Sequence, residues 1–433
     1  MSSVLGQLAA AVAAVCGLLA FIRIIHGVGR RQGWRPEVQR KCVHVATGLF
    51  AMAFPFLFQD RWPMVLLVAV AAAVMAVLRL PAIAERGMGA ALHSVGRKSY
   101  GDILLALAIG FVFLRSRDNL ILYTLPVAVI TLSDSAAALA GSTYGRRLFE
   151  VEAGTKSVEG VTMFFLVTWI VTMAMLLLFT DVSRANVVVL GVMVAAFGAL
   201  VEAYSWRGFD NLFVPVAIHF FLERHLASPP LELGLLALSF LAATTILVAF
   251  APLLRITAHT ARAYVVAVFL ICGISGLAAA VFPVATILAH LAARARHPCR
   301  SPYPDLDLLA MMAGVALVWL IVGESLGPSA VNLFALTFAG TVLIYVAITA
   351  DRNPLVVLAA GAAVLAVHAA TVALSDPEKQ WHGDLVPYTI ASLALCALVA
   401  TLRPGWFDRW RAPRAAGVAV VVPFATYLGK VLL

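Results

Sequence analysis

Charge is scarce in this sequence. Asp, Glu, Lys and Arg make up 12% of its 433 residues, against 62% hydrophobic residues, and the mean hydropathy is +0.97. So little charge excludes an ordinary soluble domain and a disordered polyelectrolyte alike. The alternating pattern of a transmembrane barrel is missing too. Instead, apolar runs near 20 residues recur from end to end. Lipid satisfies no backbone hydrogen bond, so such runs must be helices that close their own ladders. The expected fold class is all-α, a polytopic integral membrane bundle of about 14 transmembrane helices plus one re-entrant segment.

Cysteine is also sparse. Cys16, Cys42, Cys272, Cys299 and Cys396 are scattered, without a CxxC or a Cys/His cluster, so neither zinc nor a disulfide framework is indicated. Four of them lie in or beside apolar runs, as small buried hydrophobes do. The N-terminus lacks a basic n-region and a small-x-small cleavage site, so no removable signal peptide is expected. The net charge of +9 sits in short loops between apolar segments. That distribution suits the positive-inside rule and contact with anionic membrane lipids, and argues against a nucleic-acid partner. It says nothing about oligomeric state.

The apolar pattern places helices at 4–25, 42–58, 64–80, 102–114, 120–141, 161–180 and 187–204. The basic run "RRQGWRPEVQRK" after the first helix puts the N-terminus outside. Alternate crossings then bring loops 23–41, 79–101, 142–160 and 203–211 to the cytoplasm. These hold 14 Lys and Arg residues, whereas the opposite loops hold four, Arg61, Arg115, Arg117 and Arg184. If residues 211–226 spanned fully, the later arginine-rich "LRPGWFDRWRAPR" would fall outside, so this stretch is expected to dip in and return. Seven apolar segments follow, at 230–254, 264–293, 308–326, 331–350, 354–374, 386–402 and 416–432. "SPP" at 228–230 suggests a boundary between a catalytic domain, 1–227, and an accessory helical domain, 228–433. No internal repeat links the halves.

The polar residues of the first half gather in or beside the four cytoplasmic loops. "RKCVHVATG" sets Lys41, His44 and Gly48 on one helical face. "GRKSYGD" adds Lys98 and Asp102, and "EAYSWRGFDN" adds Glu202, Asp210 and Asn211. Four loops converging on one side suit a polar cytosolic ligand. Asp134 lies inside a membrane helix, where an unpaired carboxylate costs at least ~2.5–3.5 kcal/mol, so function is its default reading. Ala138, Gly141 and Gly145 follow it at helical spacing, giving either a close approach for a ligand or ordinary small-residue helix packing. "GTKSVEG" at 154–160 puts Lys156, Ser157 and Glu159 at a helix start, where backbone N–H groups can hold phosphate. Ser157 with Gly160 can equally be a helix cap. No Walker A spacing is present. In the second half, Glu324, His259, His290 and His368 form no readable pattern.

In this order, "RKCVHVATG", "DSAAALAGSTYG", "GTKSVEG" and "EAYSWRGFDNLFVP" resemble the phytol kinase and dolichol kinase family of CTP-dependent lipid kinases, over residues 38–226. The block from Asp134 to Gly160 is also similar to CDP-diacylglycerol synthases, whose basic run and histidine-glycine-glycine signature are absent before Asp210. Dolichol kinases carry extra helices before the catalytic part; here they follow it. The resemblance implies transfer of the γ-phosphate of CTP to a membrane isoprenoid alcohol, with Mg2+ as cofactor. It implies Asp134, Lys156 and Glu159 as catalytic residues, and Asp134, Glu202 and Asp210 around the metal. Lys41, His44, Lys98, Gly141, Gly145, Arg146, Lys156, Ser157, Gly160 and Asn211 would line the nucleoside triphosphate. The competing readings are a phosphatidate cytidylyltransferase and a membrane transporter.

Overall fold

The computed structural model describes residues 4–58, 60–78, 100–116, 119–151, 154–205, 208–325, 329–375, 377 and 380–432. It is nearly all helical. By length and composition, eight of the described helices can cross a membrane. The chain divides into two compact units, Met1–Ser239 and Phe240–Leu433.

Unit 1 is built from α1 (Val4–Arg31), α2 (Pro36–Met52), the short α3 (Phe54–Leu57), α4 (Trp62–Leu78), α5 (Gly101–Arg115) and α6 (Leu120–Tyr144). These are followed by α7 (Val158–Phe179), α8 (Arg184–Tyr204), α9 (Asp210–His225) and the first part of α10 (Pro230–Phe250). Its axis is α6, apolar on every face and enclosed on almost all of them, the pattern of a helix with no solvent side. α2 comes so close to α6 that a Cβ at Gly48 would overlap the Thr131 side chain. α6 runs three residues beyond its expected end, to Tyr144, where Gly145 N–H caps the Gly141 carbonyl at 3.1 Å.

Between α6 and α7 the sequence reads as a loop. The structure instead has an antiparallel hairpin, β1 (Leu148–Val151) with β2 (Gly154–Ser157), Phe149 opposite Lys156. The fold is therefore not strictly all-α. Strands of four residues are too short to show a period-2 pattern against their charged neighbours.

Residues 211–226, expected to dip in and return, form one continuous helix, α9. It starts at Asp210, beside the end of α8, yet its later residues bond to the opposite end of the bundle. His219 Nδ1 donates to the Leu122 carbonyl at 2.9 Å, and Arg115 Nη2 to Glu223 Oε2 at 3.3 Å. Asn186 Nδ2, in the first turn of α8, donates to the Ser228 carbonyl at 2.9 Å. α9 thus runs the length of α8 in the reverse direction. Its 16 residues give about 24 Å at 1.5 Å per residue, short for a bilayer; Asn211, His219 and His225 are buried, whereas Glu223 and Arg224 are exposed.

Unit 2 holds the rest of α10, then α11 (Ala258–Ser275), α12 (Leu277–Arg296), α13 (Pro304–Ser325), α14 (Val331–Thr349), α15 (Pro354–Ala373), α16 (Val386–Leu402), α17 (Arg411–Ala419) and α18 (Val421–Leu432). α14 is its enclosed centre. The single segment expected at 264–293 is two helices, broken at Gly276, whose φ of +86° suits only glycine well. They fold back on each other, since Arg294 Nη2 donates to the Arg255 carbonyl at 2.6 Å. The ends of α12, α14 and α16 and the start of α13 meet there. Arg296 Nη1 reaches the Thr349 carbonyl at 2.9 Å, and Arg411 Nη2 the His297 carbonyl at 2.9 Å. This end collects the arginines of unit 2. At the other end Lys430 bonds to the His382 carbonyl at 3.2 Å.

The unread histidines find partners. His290 donates to Asp305 Oδ1 at 3.0 Å, which also receives Tyr264, while Arg294 pairs with Oδ2. His368 bridges the Asn332 carbonyl and Thr389 Oγ1, each at 3.1 Å.

A crossing by α9 has a direct readout. With native cysteines replaced, single cysteines at Gly154 and Ala227 are expected to react with a membrane-impermeant maleimide from opposite faces. Labelling of both from one face would restore the re-entrant reading.

Candidate functional site

Asp134 lies ten residues before the end of α6 and is only 6% exposed. Lys41, on α2 and 3% exposed, donates to its Oδ2 at 2.5 Å. One turn on, His44 Nε2 donates to the Ile130 carbonyl at 3.1 Å and lies 3.4 Å from the same Oδ2. The close approach at Gly48 brings both side chains to α6. Beside Asp134, Ser133 Oγ accepts from Thr168 Oγ1 of α7 at 2.9 Å.

The hairpin delivers a second ion pair. Lys156 Nζ, on β2, donates to Glu202 Oε1 at 2.8 Å and also to the Glu202 carbonyl, at the C-terminal end of α8. Burial works against the Lys156 charge, but the carboxylates of Glu202, Asp210 and Asp134 together outweigh it and hold the ammonium pKa above its ordinary value. Asp210, at the start of α9, feels the charges of Asp134, Lys156, Glu202 and Lys41 together. Arg40 acts on Asp134 and Asp210 while paired with Glu37 at 2.6 Å. Side chains from α2, α6, β2, α8 and α9 thus form one electrostatic cluster.

Three oxygens in that cluster are buried without a hydrogen-bond partner: Glu202 Oε2, Asp210 Oδ1 and Asn211 Oδ1. Acceptors left bare in this way are costly, and an all-oxygen set suits a hard cation. Among the described residues, however, no three His, Cys, Asp or Glu side chains make a ready-made metal site.

The remaining expected residues fall into two groups. Ser157 is the N-cap of α7, accepting from Gly160 N–H at 3.1 Å. Gly141, Gly145 and Gly160 pack round it: a Cβ on Gly141 would stand 2.9 Å from Ser157 Oγ, and one on Gly145 2.9 Å from Ser157 Cβ. The glycines let α6, the hairpin and α7 converge. Glu159 accepts the Arg147 N–H on both oxygens, at 3.2 and 3.3 Å, and so fixes the turn into β1. Arg146 is exposed beside it. Lys98 lies outside the described residues, and Asp102 occupies the first turn of α5. Thr131 and Ser133 went unread in the sequence, although Thr131 stands one turn before Asp134 on the same face.

These features define a multi-pass membrane protein with a charged site at one end of a helical bundle. No family model matches the chain, and no solved structure matches it. The phytol kinase of Synechocystis sp. is 34% identical to it over 184 residues, which is 42% of this chain and 76% of that protein. The chain belongs to the phytol and dolichol kinase family.

The Lys41–Asp134 pair makes a stability prediction. Lys41→Met leaves Asp134 buried and unpaired and is expected to cost about 3–5 kcal/mol, the range for breaking one side of a buried pair. Adding Asp134→Leu should recover most of that loss without restoring function. Thermal unfolding in detergent reads both; an unaltered melting temperature in Lys41→Met would show that the pair is not formed.

Proposed function

We propose that this chain is a CTP-dependent lipid kinase, moving the γ-phosphate of CTP to the hydroxyl of a membrane isoprenoid alcohol. The observation that carries the reading is the convergence of Lys41, Asp134, Lys156, Glu202 and Asp210 at one end of unit 1, in a chain with a phytol kinase relative. In phosphoryl transfer the protein mainly positions the reactants and offsets charge. Lys41 and Lys156 each hold a carboxylate here; on binding they exchange it for phosphate oxygens. Glu202, Asp210 and Asp134, with Asn211 Oδ1, would hold the Mg2+ that accompanies the triphosphate. Such an ion needs only one or two protein carboxylates when phosphates complete its shell, which suits a cluster without a preformed triad. Mg2+, when bound, supplies positive charge to the triphosphate.

His44 orients Asp134, and Glu159 shapes the turn that presents Arg146 and the β2 backbone to the nucleotide. The alcohol oxygen bonds to the γ-phosphorus as the β–γ bridging bond breaks. CDP leaves, and the alcohol proton passes to a carboxylate of the cluster.

The site is proposed to face the cytoplasm, because the loops on its side carry the excess of Lys and Arg. With α9 crossing and 264–293 divided, the count rises from about 14 to about 16 crossings, and the arginine-rich end of unit 2 also falls on the cytoplasmic side. The division into a catalytic first half and an accessory second half, which would shelter or select the lipid chain, belongs to the same proposal.

Membranes containing the protein, given α- or γ-labelled CTP with a panel of prenols and diacylglycerol, test it. Only γ-label is expected on lipid, with CDP released. Label from the α position with free pyrophosphate would replace the kinase by a cytidylyltransferase. Lys156→Ala should weaken use of CTP by ~1.5–3 kcal/mol, the scale of a charge-assisted hydrogen bond, and leave the KM for the alcohol unchanged. A rise in the alcohol KM alone would remove Lys156 from the phosphate site.

A further inference from the structure

The segment between α16 and α17 has no part in the chemistry proposed above. Its sequence, "RPGWFDRWR", sets Arg403, Arg409 and Arg411 against a single acid, Asp408, and includes two tryptophans. Such a loop in a membrane protein ordinarily needs only its charge, which any conformation supplies.

This one is held in a single conformation. Pro404–Phe407 forms one 3-10 turn that plugs Phe407 into the core. Arg411 is itself buried, its Nε on the Phe407 carbonyl at 3.1 Å and its Nη2 on the His297 carbonyl at 2.9 Å. The segment before α13 straps it from the other side. Arg300 N–H donates to the Asp408 carbonyl at 2.7 Å, and Trp410 N–H donates to Ser301 Oγ at 2.9 Å.

Fixed this way, Trp410 has φ 56° and ψ 40°, a left-handed conformation that a bulky side chain rarely adopts and that persists only where neighbours impose it. This conformation does not bury the indoles: Trp406 and Trp410 remain 48% and 44% exposed. Arg409 lies over the Trp410 ring at 6.0 Å, and the side chains of Arg300 and Arg403 are exposed nearby. Two indoles are presented outward among three exposed guanidinium groups, where membrane helices end. Indoles favour the headgroup level of a bilayer, and guanidinium forks match phosphate oxygens.

We propose that this strap is a binding site for the headgroup of an anionic phospholipid, with Arg300, Arg403 and Arg409 on the phosphate and Trp406 and Trp410 against the glycerol and upper acyl chains. A soluble anion would use the arginines but leave the exposed indoles and the strained backbone without a purpose.

Full-length protein is to be reconstituted in nanodiscs of mixed phosphatidylglycerol and phosphatidylcholine, released, and analysed for retained lipid by native mass spectrometry. The wild type should retain phosphatidylglycerol preferentially. R300Q/R403Q/R409Q should lose that preference, by about fivefold for each cation removed. R30Q/R31Q/R35Q, which removes the same charge from exposed positions at the end of α1 and the start of α2, should keep it. Trp410→Gly relieves the left-handed strain and deletes the indole, so its melting temperature should not fall while its lipid retention does. Equal loss in the two triple variants would reduce the patch to bulk charge and overturn the proposal. Wild-type retention by Trp410→Gly would overturn it as well.

Discussion

A carboxylate inside a membrane helix has to be answered, and in this protein the answer is Lys41. Removing two ions from water costs several kcal/mol each, and their attraction repays that only when geometry is good and remaining valences are filled. Here Lys41 and His44 both address one Asp134 oxygen. That is possible only because α2 lies against α6 with Gly48 at the contact. The same constraint explains the short α2: its job is to carry two polar side chains to a fixed depth, under cover of its neighbours. A hydrophobic pair would hold α2 to α6 at least as well. An ionic pair is therefore a poor device for stability alone, and its presence points to the chemistry at that end of the bundle.

The second ion pair is built on a different principle. Lys156 reaches Glu202 from a hairpin whose base is drawn tight by Ser157 and three glycines. Together the two pairs leave the cluster nearly neutralised by its own side chains, except for the bare oxygens of Glu202, Asp210 and Asn211. For the proposed reaction this has a thermodynamic consequence. A cation alone would have to take carboxylates from lysines and strand their charges; a triphosphate alone would strand carboxylates. A cation and a triphosphate arriving together would give each lysine and each carboxylate a new partner of opposite charge.

Much of this site was legible because intramembrane charge is rare enough to stand out. Lys41, His44, Asp134, Lys156, Glu202 and Asp210 were each conspicuous against apolar surroundings, and their loops shared one side by simple counting. The pairing was not legible. Nothing in the spacing of Lys156 and Glu202 says that they meet, since the encounter depends on a hairpin whose strands are only four residues long. Nor does the sequence say whether Gly141, Gly145 and Gly160 face a ligand or a helix. The structure gives them to packing round Ser157, a use that needs the same small residues at the same interval. Thr131 escaped notice because a threonine on a buried helix bonds to its own backbone and leaves no trace in polarity.

The topology was misread in two places that compensate each other. A Pro-containing helix with His, Glu and Arg along it looks too polar to cross, so 211–226 reads as a dip; in the structure His219 is buried on the Leu122 carbonyl, while Glu223 meets Arg115 at the exposed surface. The run 264–293 looks continuous because glycine is common in membrane helices, yet Gly276 turns the chain with a positive φ. A crossing by α9 and a second crossing within 264–293 would offset each other, so every loop after residue 296 keeps its expected side, because charge distribution constrains the parity of crossings and not their number.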